Sequence, residues 1–194
     1  MSLLTSALPD CITAGGERCR IRTDFRVWLS FSELVKKDLS PEELLTETVI
    51  LLFPEVPKSA DGLLAAVSEF YAAGRAADSG GEKTSVADEC FDFEHDAPYI
   101  YAAFLQQYGI DLTSADMHWH KFRALLAGLS EDTQFMKIIG YRSMDTRRIK
   151  DREQKAAYEK IKKAYALPKS KEETEKIKKL TETLLAGGDI SGII

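Results

Sequence analysis

A stretch of two adjacent helical patterns, residues 96–129, constrains the fold of this chain more than any other feature. Nine of the twelve residues from 97 to 108 are apolar or aromatic, and they surround the predicted helix instead of forming a stripe. A helix with that pattern is usually buried on most of its sides. Gly109 is placed to end this helix, because glycine readily adopts the left-handed conformation that follows a helical C-terminus.

The second helix of this stretch is predicted to begin at residues 113–116, whose sequence TSAD resembles a capping box. Helical spacing then places Trp119 and Phe122 on one apolar face, with His118 and His120 beside or opposite it. Burying either aromatic side chain contributes roughly 1.5–3 kcal/mol or more. The stretch is therefore expected to form the centre of a helical core.

A β-hairpin is predicted near the start of the chain, over residues 12–21, where two glycines supply a tight turn. A three-residue turn would place Cys11 opposite Cys19, whereas a two-residue Gly-Gly turn would pair Ile12 with Cys19. The chain has three cysteines, an odd number, and none of them shows CxxC spacing. This usage favours reduced thiols over a disulfide.

Three helices are predicted between the hairpin and the central stretch. The first covers residues 25–37, although Phe25, Val27 and Leu29 also alternate as they would in a strand. The second begins at Ser40, where Ser40 and Glu43 form a capping box. The third begins at a second capping position, Ser59. Residues 78–88 are rich in glycine, serine and charged residues, which predicts a flexible linker.

The C-terminal part of the chain predicts a basic helical arm. A short helix over residues 133–141 precedes a long amphipathic helix over residues 145–167, and another helix is predicted from residue 170 to residue 187. Residues 1–140 hold 12 Lys/Arg against 22 Asp/Glu, whereas residues 141–180 hold 14 against 7. A positive charge confined to one region indicates a surface that binds a partner.

The candidate partner-binding residues are the cations of the arm and the thin apolar stripe between them. An amphipathic helix with a narrow stripe often completes its burial against another protein chain. The same cations, interleaved with tyrosines, could instead follow a nucleic-acid backbone. The candidates are Arg147, Arg148, Lys155, Tyr158, Ile161, Lys162, Lys163, Tyr165, Ile177, Leu180 and Leu184.

The predicted fold class is mainly α. We expect a compact helical domain with a small N-terminal β-hairpin in residues 1–144, followed by an extended basic helical arm with an apolar tail in residues 145–194. A hydrophobic fraction of 44% is sufficient for a real core. We expect an intracellular protein, because no segment approaches the roughly 18 apolar residues that span a bilayer and the first residues lack a signal-peptide pattern.

No cluster of residues predicts an active site, a metal site or a cofactor site. On a helix, His118 and His120 would point about 200° apart, so they could not share an ion. Cys90 precedes His95 by five residues, but the sequence supplies no group to orient such a pair. The glycine pairs match no nucleotide-binding motif. The chain is therefore expected not to be an enzyme.

The central stretch and several short motifs resemble the bacteriophage gene-product-fifteen family. The resemblance covers most of residues 10–168, and one departure is His120, where a second aromatic residue would be expected after Trp119. The matching motifs are Asp24-Phe25-Arg26, Tyr99-Ile100-Tyr101-Ala102-Ala103-Phe104, Tyr108-Gly109-Ile110-Asp111-Leu112, Met117-His118-Trp119-His120-Lys121-Phe122, Leu125-Leu126-Gly128-Leu129, Ile139-Gly140-Tyr141-Arg142-Ser143 and Tyr165-Ala166-Leu167-Pro168.

This resemblance implies a gene in the tail module of a phage or prophage, close to the gene for the tape-measure protein. Small tail-assembly chaperones are encoded there, and they coat the long helical tape-measure protein until the tail tube replaces them. The implied function is a non-enzymatic chaperone in the host bacterial cytoplasm that binds the tape-measure protein or another tail protein. The alternative is a nucleic-acid-binding accessory protein; a homo-oligomer stays open, and no membrane partner is implied.

Overall fold

Helices dominate the residues that the computed structural model describes, which are 5–73 and 90–168. This confirms the mainly α fold class, including the small N-terminal hairpin. The chain divides into two compact units, with the boundary between Gly140 and Tyr141. The elements are β1 (Cys11–Ala14), β2 (Glu17–Arg20), α1 (Phe25–Leu34), α2 (Pro41–Leu52), α3 (Leu63–Tyr71), α4 (Ala97–Tyr108), α5 (Trp119–Ala127), α6 (Gln134–Ser143), a 3-10 helix (Thr146–Arg148) and α7 (Arg152–Ala164).

Some sequence-based predictions lie outside the described residues. These are the linker near residues 78–88, the helix predicted from residue 170 and the apolar tail at residues 190–194. Three of the candidate partner-binding residues also lie outside the described residues: Ile177, Leu180 and Leu184.

The hairpin adopts the two-residue turn. Ile12 pairs with Cys19 in the antiparallel register, and Ala14 pairs with Glu17. Gly15 and Gly16 form the turn with φ angles of +56° and +78°, which glycine adopts without strain. Ile12 and Ala14 are buried, and β1 packs against α3, so the hairpin is stabilised by the helical core. The cysteines are present as thiols.

Helix α2 is capped at both ends by side chains. The predicted capping box is confirmed: the Ser40 hydroxyl accepts a hydrogen bond from the Glu43 backbone N–H, and the Glu43 carboxylate accepts one from the Ser40 N–H. The hydrogen bonds from Ser40 lower the pKa of Glu43. At the other end, the Arg22 guanidinium donates to the carbonyls of Ile50 and Leu51 at 2.8 and 2.6 Å.

Helices α1 and α3 are shorter than predicted. Helix α1 ends at Leu34 instead of residue 37. Helix α3 begins at Leu63, because Ser59 caps a separate turn in which its hydroxyl accepts a hydrogen bond from the Asp61 N–H at 3.1 Å. Gly62, with a φ of +68°, is the residue that precedes the first turn of α3. A serine capping signal thus marks a turn here and not the first turn of the helix.

Stacked aromatic rings form the centre of the core. Trp28 lies against Phe70 with ring centroids 4.7 Å apart, and Trp119 lies against Tyr71 at 5.1 Å. The indole N–H of Trp28 donates to the Arg22 carbonyl at 2.8 Å, and that of Trp119 donates to the Tyr71 carbonyl at 2.9 Å. Both tryptophans are fully buried, and their only polar group is hydrogen-bonded.

Helix α4 is buried on one side only, so the prediction of burial on most sides is wrong. Ile100, Ala103 and Phe104 face the core, whereas Ala102 is exposed and Leu105 remains 46% exposed. The count of apolar residues was misleading because alanines and tyrosines, which tolerate partial exposure, supply much of it. Gly109 does end the helix, with a φ of +66°.

The start of α5 at residues 113–116 was also predicted wrongly. Asp111 instead caps a tight turn, where its carboxylate accepts hydrogen bonds from the backbone N–H and hydroxyl of Thr113 at 2.9 and 2.6 Å. The chain then runs extended, and Asp24 and His118 form an isolated antiparallel bridge. The Trp119 N–H donates to the Thr23 carbonyl at 2.7 Å. Tertiary hydrogen bonds therefore outweigh the local capping signal.

Arg26 fixes this extended segment to the start of α1. Its guanidinium donates to the carbonyls of Leu112, Thr113 and Ala115 at 2.9–3.1 Å, and it forms an ion pair with Asp24. The planar fork of arginine suits such multiple contacts. The motif at residues 24–26, which carried part of the family resemblance, thus serves to join two distant parts of the core.

The single basic helix predicted over residues 145–167 is wrong, because the chain breaks before α7. A 3-10 helix covers Thr146–Arg148, and Ile149 is extended with a ψ of 116°. Asp151 then caps α7, accepting a hydrogen bond from the Gln154 N–H at 2.7 Å. No break was predicted here, although a competent N-cap such as Asp151 ends one helical pattern and begins another.

Candidate partner-binding surface

The C-terminal unit, described over residues 141–168, holds its own ends together. The Lys162 ammonium donates to the Met144 carbonyl at 2.9 Å, and the Arg142 guanidinium donates to the Tyr165 carbonyl. The rings of Tyr141 and Tyr165 stack with centroids 6.1 Å apart. Two of the predicted partner-binding residues, Lys162 and Tyr165, therefore have structural contacts within the unit.

The sequence did not predict that Tyr141 and Arg142 stabilise this unit, although both contact Tyr165. Each lies in the last turns of α6, and helical spacing reports only neighbours within the same helix. The sequence therefore carried no signal for these contacts, which join residues more than twenty positions apart.

The apolar stripe of α7 is only half-buried. Tyr158, Ile161 and Tyr165 keep part of their surface exposed, and none of the thirteen residues of α7 is fully buried. These three residues lie at i, i+3 and i+7, so they share one face of the helix. The C-terminal unit thus presents an amphipathic helix whose apolar face is incompletely covered.

Several cations of the unit are held by acidic neighbours. Arg147 and Arg148, each 88% exposed, pair with Asp145 through N···O distances of 2.9 and 3.5 Å. The hydrogen bond between Arg147 and Asp145 lowers the pKa of Asp145 and raises that of Arg147. Lys155 and Glu159 lie 3.9 Å apart. Exposed pairs of this kind stabilise weakly and can rearrange to meet a partner.

Lys160 and Lys163 form the most accessible basic pair on α7. Both are exposed and lie three residues apart, so they share a face of the helix. Across residues 141–168 there are nine Lys/Arg and four Asp/Glu, a balance of +5. The described unit therefore combines a positive surface with an incompletely covered apolar stripe.

The two histidines near the start of α5 are neighbours, contrary to the prediction that a helix would separate them. His118 is the N-cap, with a ψ of 141°, and its Nδ1 accepts a hydrogen bond from the His120 N–H at 2.9 Å. The ring of His118 lies 5.0 Å from that of His120. The prediction failed because His118 precedes the helix instead of lying in it.

Both histidine rings are engaged with the protein backbone. Since Nδ1 of His118 accepts, its Nε2 donates to the Pro9 carbonyl at 2.9 Å. His120 is buried, with its ring 4.4 Å from Phe70 and its Nε2 donating to the Phe70 carbonyl at 2.9 Å. His120 therefore packs as an aromatic core residue. Within residues 5–73 and 90–168, no three His, Cys, Asp or Glu side chains converge on a metal position.

The free energy of unfolding is expected to decrease as the pH is lowered, because His120 becomes protonated. Burial lowers the pKa of His120 below its ordinary value of 6.5 despite the hydrogen bond to the Phe70 carbonyl, which raises it, and the nearby His118 lowers it further. The unfolded chain then binds a proton more readily than the folded chain, so the stabilisation present above pH 6.5 is lost as pH falls through the lowered pKa of the folded state.

Chemical denaturation between pH 7.5 and 5 measures this loss. His120→Gln, which does not titrate, should flatten the dependence of the unfolding free energy on pH in this window. His95→Gln, at an exposed position, serves as the matched control and should leave the slope unchanged. An unchanged slope in His120→Gln would show that another group is responsible.

Sequence comparison identifies the chain as a bacteriophage protein. A profile described as Bacteriophage Gp15 protein matches residues 4–167, which is most of the chain. The chain therefore belongs to the bacteriophage Gp15 protein family, as the motifs indicated, and the family suggests a role in phage structure or assembly. No curated protein and no solved structure matches the chain. Among the described residues, no helix has the length and hydropathy of a membrane-spanning segment.

Proposed function

We propose that this protein is a non-enzymatic tail-assembly protein that acts as a chaperone in the host bacterial cytoplasm. Its partner is the tape-measure protein or another tail component. Membership of a bacteriophage family supports this role, as does the position in the tail module that the motifs imply. A tape-measure protein is long, helical and prone to aggregation, so it needs a partner that covers apolar helical surface before the tail tube forms.

The observation that carries the proposal is the surface of α7. Tyr158, Ile161 and Tyr165 leave an apolar stripe partly open, and Lys160 and Lys163 are exposed on the same helix. A second amphipathic helix could complete the burial of this stripe, while the lysines select acidic neighbours on that helix. The predicted residues Ile177, Leu180 and Leu184 lie outside the described residues and stay candidates for contact with the same partner.

Co-expression with the tape-measure protein of the same phage or prophage tests the proposal. The full chain is expected to keep the tape-measure protein in a soluble complex that survives affinity purification. A variant that lacks residues 145–194 should lose the complex while the N-terminal unit keeps its thermal unfolding transition. A second variant that lacks only residues 169–194 separates the contribution of α7 from that of the residues after it. If the variant that lacks residues 145–194 captures the tape-measure protein as well as the full chain does, the C-terminal helices have no role in binding.

Nucleic-acid binding is the second candidate, favoured by the balance of +5 across residues 141–168. Its affinity for duplex DNA would fall steeply with salt, with a slope of about −0.9 per phosphate contacted. Lys160→Ala/Lys163→Ala is the suitable variant, because Lys162 already donates to the Met144 carbonyl. Tight, salt-dependent binding that this variant loses would replace the chaperone proposal.

A further inference from the structure

A strongly acidic surface covers α2, α3 and the loop between them. Residues 38–69 contain seven Asp/Glu and one Lys, a balance of −6. All seven carboxylates are on exposed residues, and the single Lys58 pairs with Glu17 at 3.5 Å. The acidic residues are Asp38, Glu42, Glu43, Glu47, Glu55, Asp61 and Glu69. This region therefore attracts positively charged partners over a distance set by ionic strength.

An apolar groove lies within this acidic surface, between the first turns of α2 and α3. It has a volume of about 320 Å³, and Glu42 is the one charged residue among those that line it. Asp61 lies in the chain between two of the lining residues. The remaining lining residues are Pro41, Leu45, Ala60, Gly62, Leu63, Leu64 and Ala65. An apolar floor with carboxylates at its edge suits an amphipathic helix that carries lysines.

The same segment carries two prominently exposed apolar side chains. Ile50 is 64% exposed and Val56 is 81% exposed. Single exposed apolar residues are ordinary on protein surfaces, but these two lie in the same acidic region of the sequence as the groove, although they do not line it. The surface thus has the composition of a binding site.

We propose that this α2–α3 groove binds the basic helix α7 of a second copy of the chain. The charges are complementary, since residues 38–69 carry −6 and residues 141–168 carry +5. Among the residues of the N-terminal unit that the structure describes, none fills the groove, and α7 itself has no fully buried residue. Each copy offers one groove and one helix, so reciprocal exchange of α7 gives a two-fold dimer, whereas head-to-tail contact gives a ring or an open chain of copies.

This proposal is independent of the proposed function, although both use α7. A helix seated in the groove of a neighbouring copy is covered, so self-association and capture of a tail protein through α7 exclude each other. The experiments below contain no tail protein. Their failure leaves tail-protein binding untouched, and failure of the co-expression experiment leaves self-association untouched.

Sedimentation velocity at increasing protein concentration and at low and high salt tests the proposal. The full chain is expected to reach multiples of the monomer mass of 21.7 kDa at low salt and to dissociate as salt rises. Two charge-reversal variants, the groove variant Glu42→Lys/Asp61→Lys and the helix variant Lys160→Glu/Lys163→Glu, should each be monomeric. Neither changes Glu43, which caps α2, so both are expected to retain the thermal unfolding transition.

An equimolar mixture of the two variants provides the decisive measurement. Each variant keeps one intact partner surface, so the mixture should form at least a heterodimer of twice the monomer mass of 21.7 kDa, through the groove of the helix variant and the helix of the groove variant. Glu131→Lys/Asp132→Lys, an equal charge change at exposed residues outside the groove, should associate like the unaltered chain. A chain that is monomeric at all concentrations, variants that keep the unaltered mass, or a mixture that stays monomeric would each overturn the proposal.

Discussion

Replacing Trp119 with alanine is expected to lower the free energy of unfolding by about 3–5 kcal/mol, the range for deletion of a large buried aromatic side chain. Trp119 is fully buried, and its ring contacts those of Trp28, Tyr71 and Phe122 at centroid distances of 5.1–6.1 Å. Alanine would leave a cavity at this centre and would remove the partner of the Tyr71 carbonyl. Since small domains are stable by only about 5–15 kcal/mol, the variant should be close to unfolding.

Urea denaturation followed by circular dichroism measures this loss of stability. Leu105→Ala is the matched control, because Leu105 is a large apolar residue that is 46% exposed on α4. Its substitution should change the unfolding free energy by about 0.5 kcal/mol or less, as surface substitutions usually do. If the two variants lose similar amounts, Trp119 is not at the centre of the core.

Replacing Arg26 with methionine is expected to lower the unfolding free energy by about 1.5–3 kcal/mol, which is the range for hydrogen bonds made by a charged group. The guanidinium donates to three backbone carbonyls of residues 112–115 and pairs with Asp24. Methionine keeps much of the apolar stem and removes every donor. The extended segment before α5 should then lose its attachment to the start of α1.

Two further variants separate the hydrogen bonds of Arg26 from its charge. Arg26→Lys keeps the charge but lacks the planar fork, so it should recover less than half of the lost stability. Arg20→Met removes an exposed arginine from β2 and should have little effect. Full recovery in Arg26→Lys would mean that charge, and not hydrogen bonding to the three carbonyls, holds the segment.

The sequence predicted those features of the fold that depend on local interactions. The capping box of Ser40 and Glu43 needs only neighbouring residues, and α2 begins where it predicted. The burial of Trp119 and Phe122 was also predicted correctly, although the N-cap of α5 is His118, five residues after the predicted cap Thr113. The extended segment before α5 was missed because backbone bonds to Thr23 and Phe25 determine it.

The candidate site was predicted in composition but not in geometry. The sequence identified a basic region with a thin apolar stripe, and the structure places both on α7 and the residues before it. It did not indicate that Lys162 donates to the Met144 carbonyl or that Asp145 holds two arginines. These contacts depend on the break in the helix before Asp151, and no glycine or proline marks that break.

Binding of a tail protein by α7 is measured by the affinity of the full chain for purified tape-measure protein. Lys160→Glu/Lys163→Glu should weaken binding by about tenfold or more, equivalent to ~1.4 kcal/mol. Lys121→Glu/Lys137→Glu makes the same charge change at exposed residues of the N-terminal unit and should bind like the unaltered chain. We expect only the α7 variant to lose affinity. Equal affinity in the unaltered chain and both variants would contradict the proposal that α7 binds the tail protein.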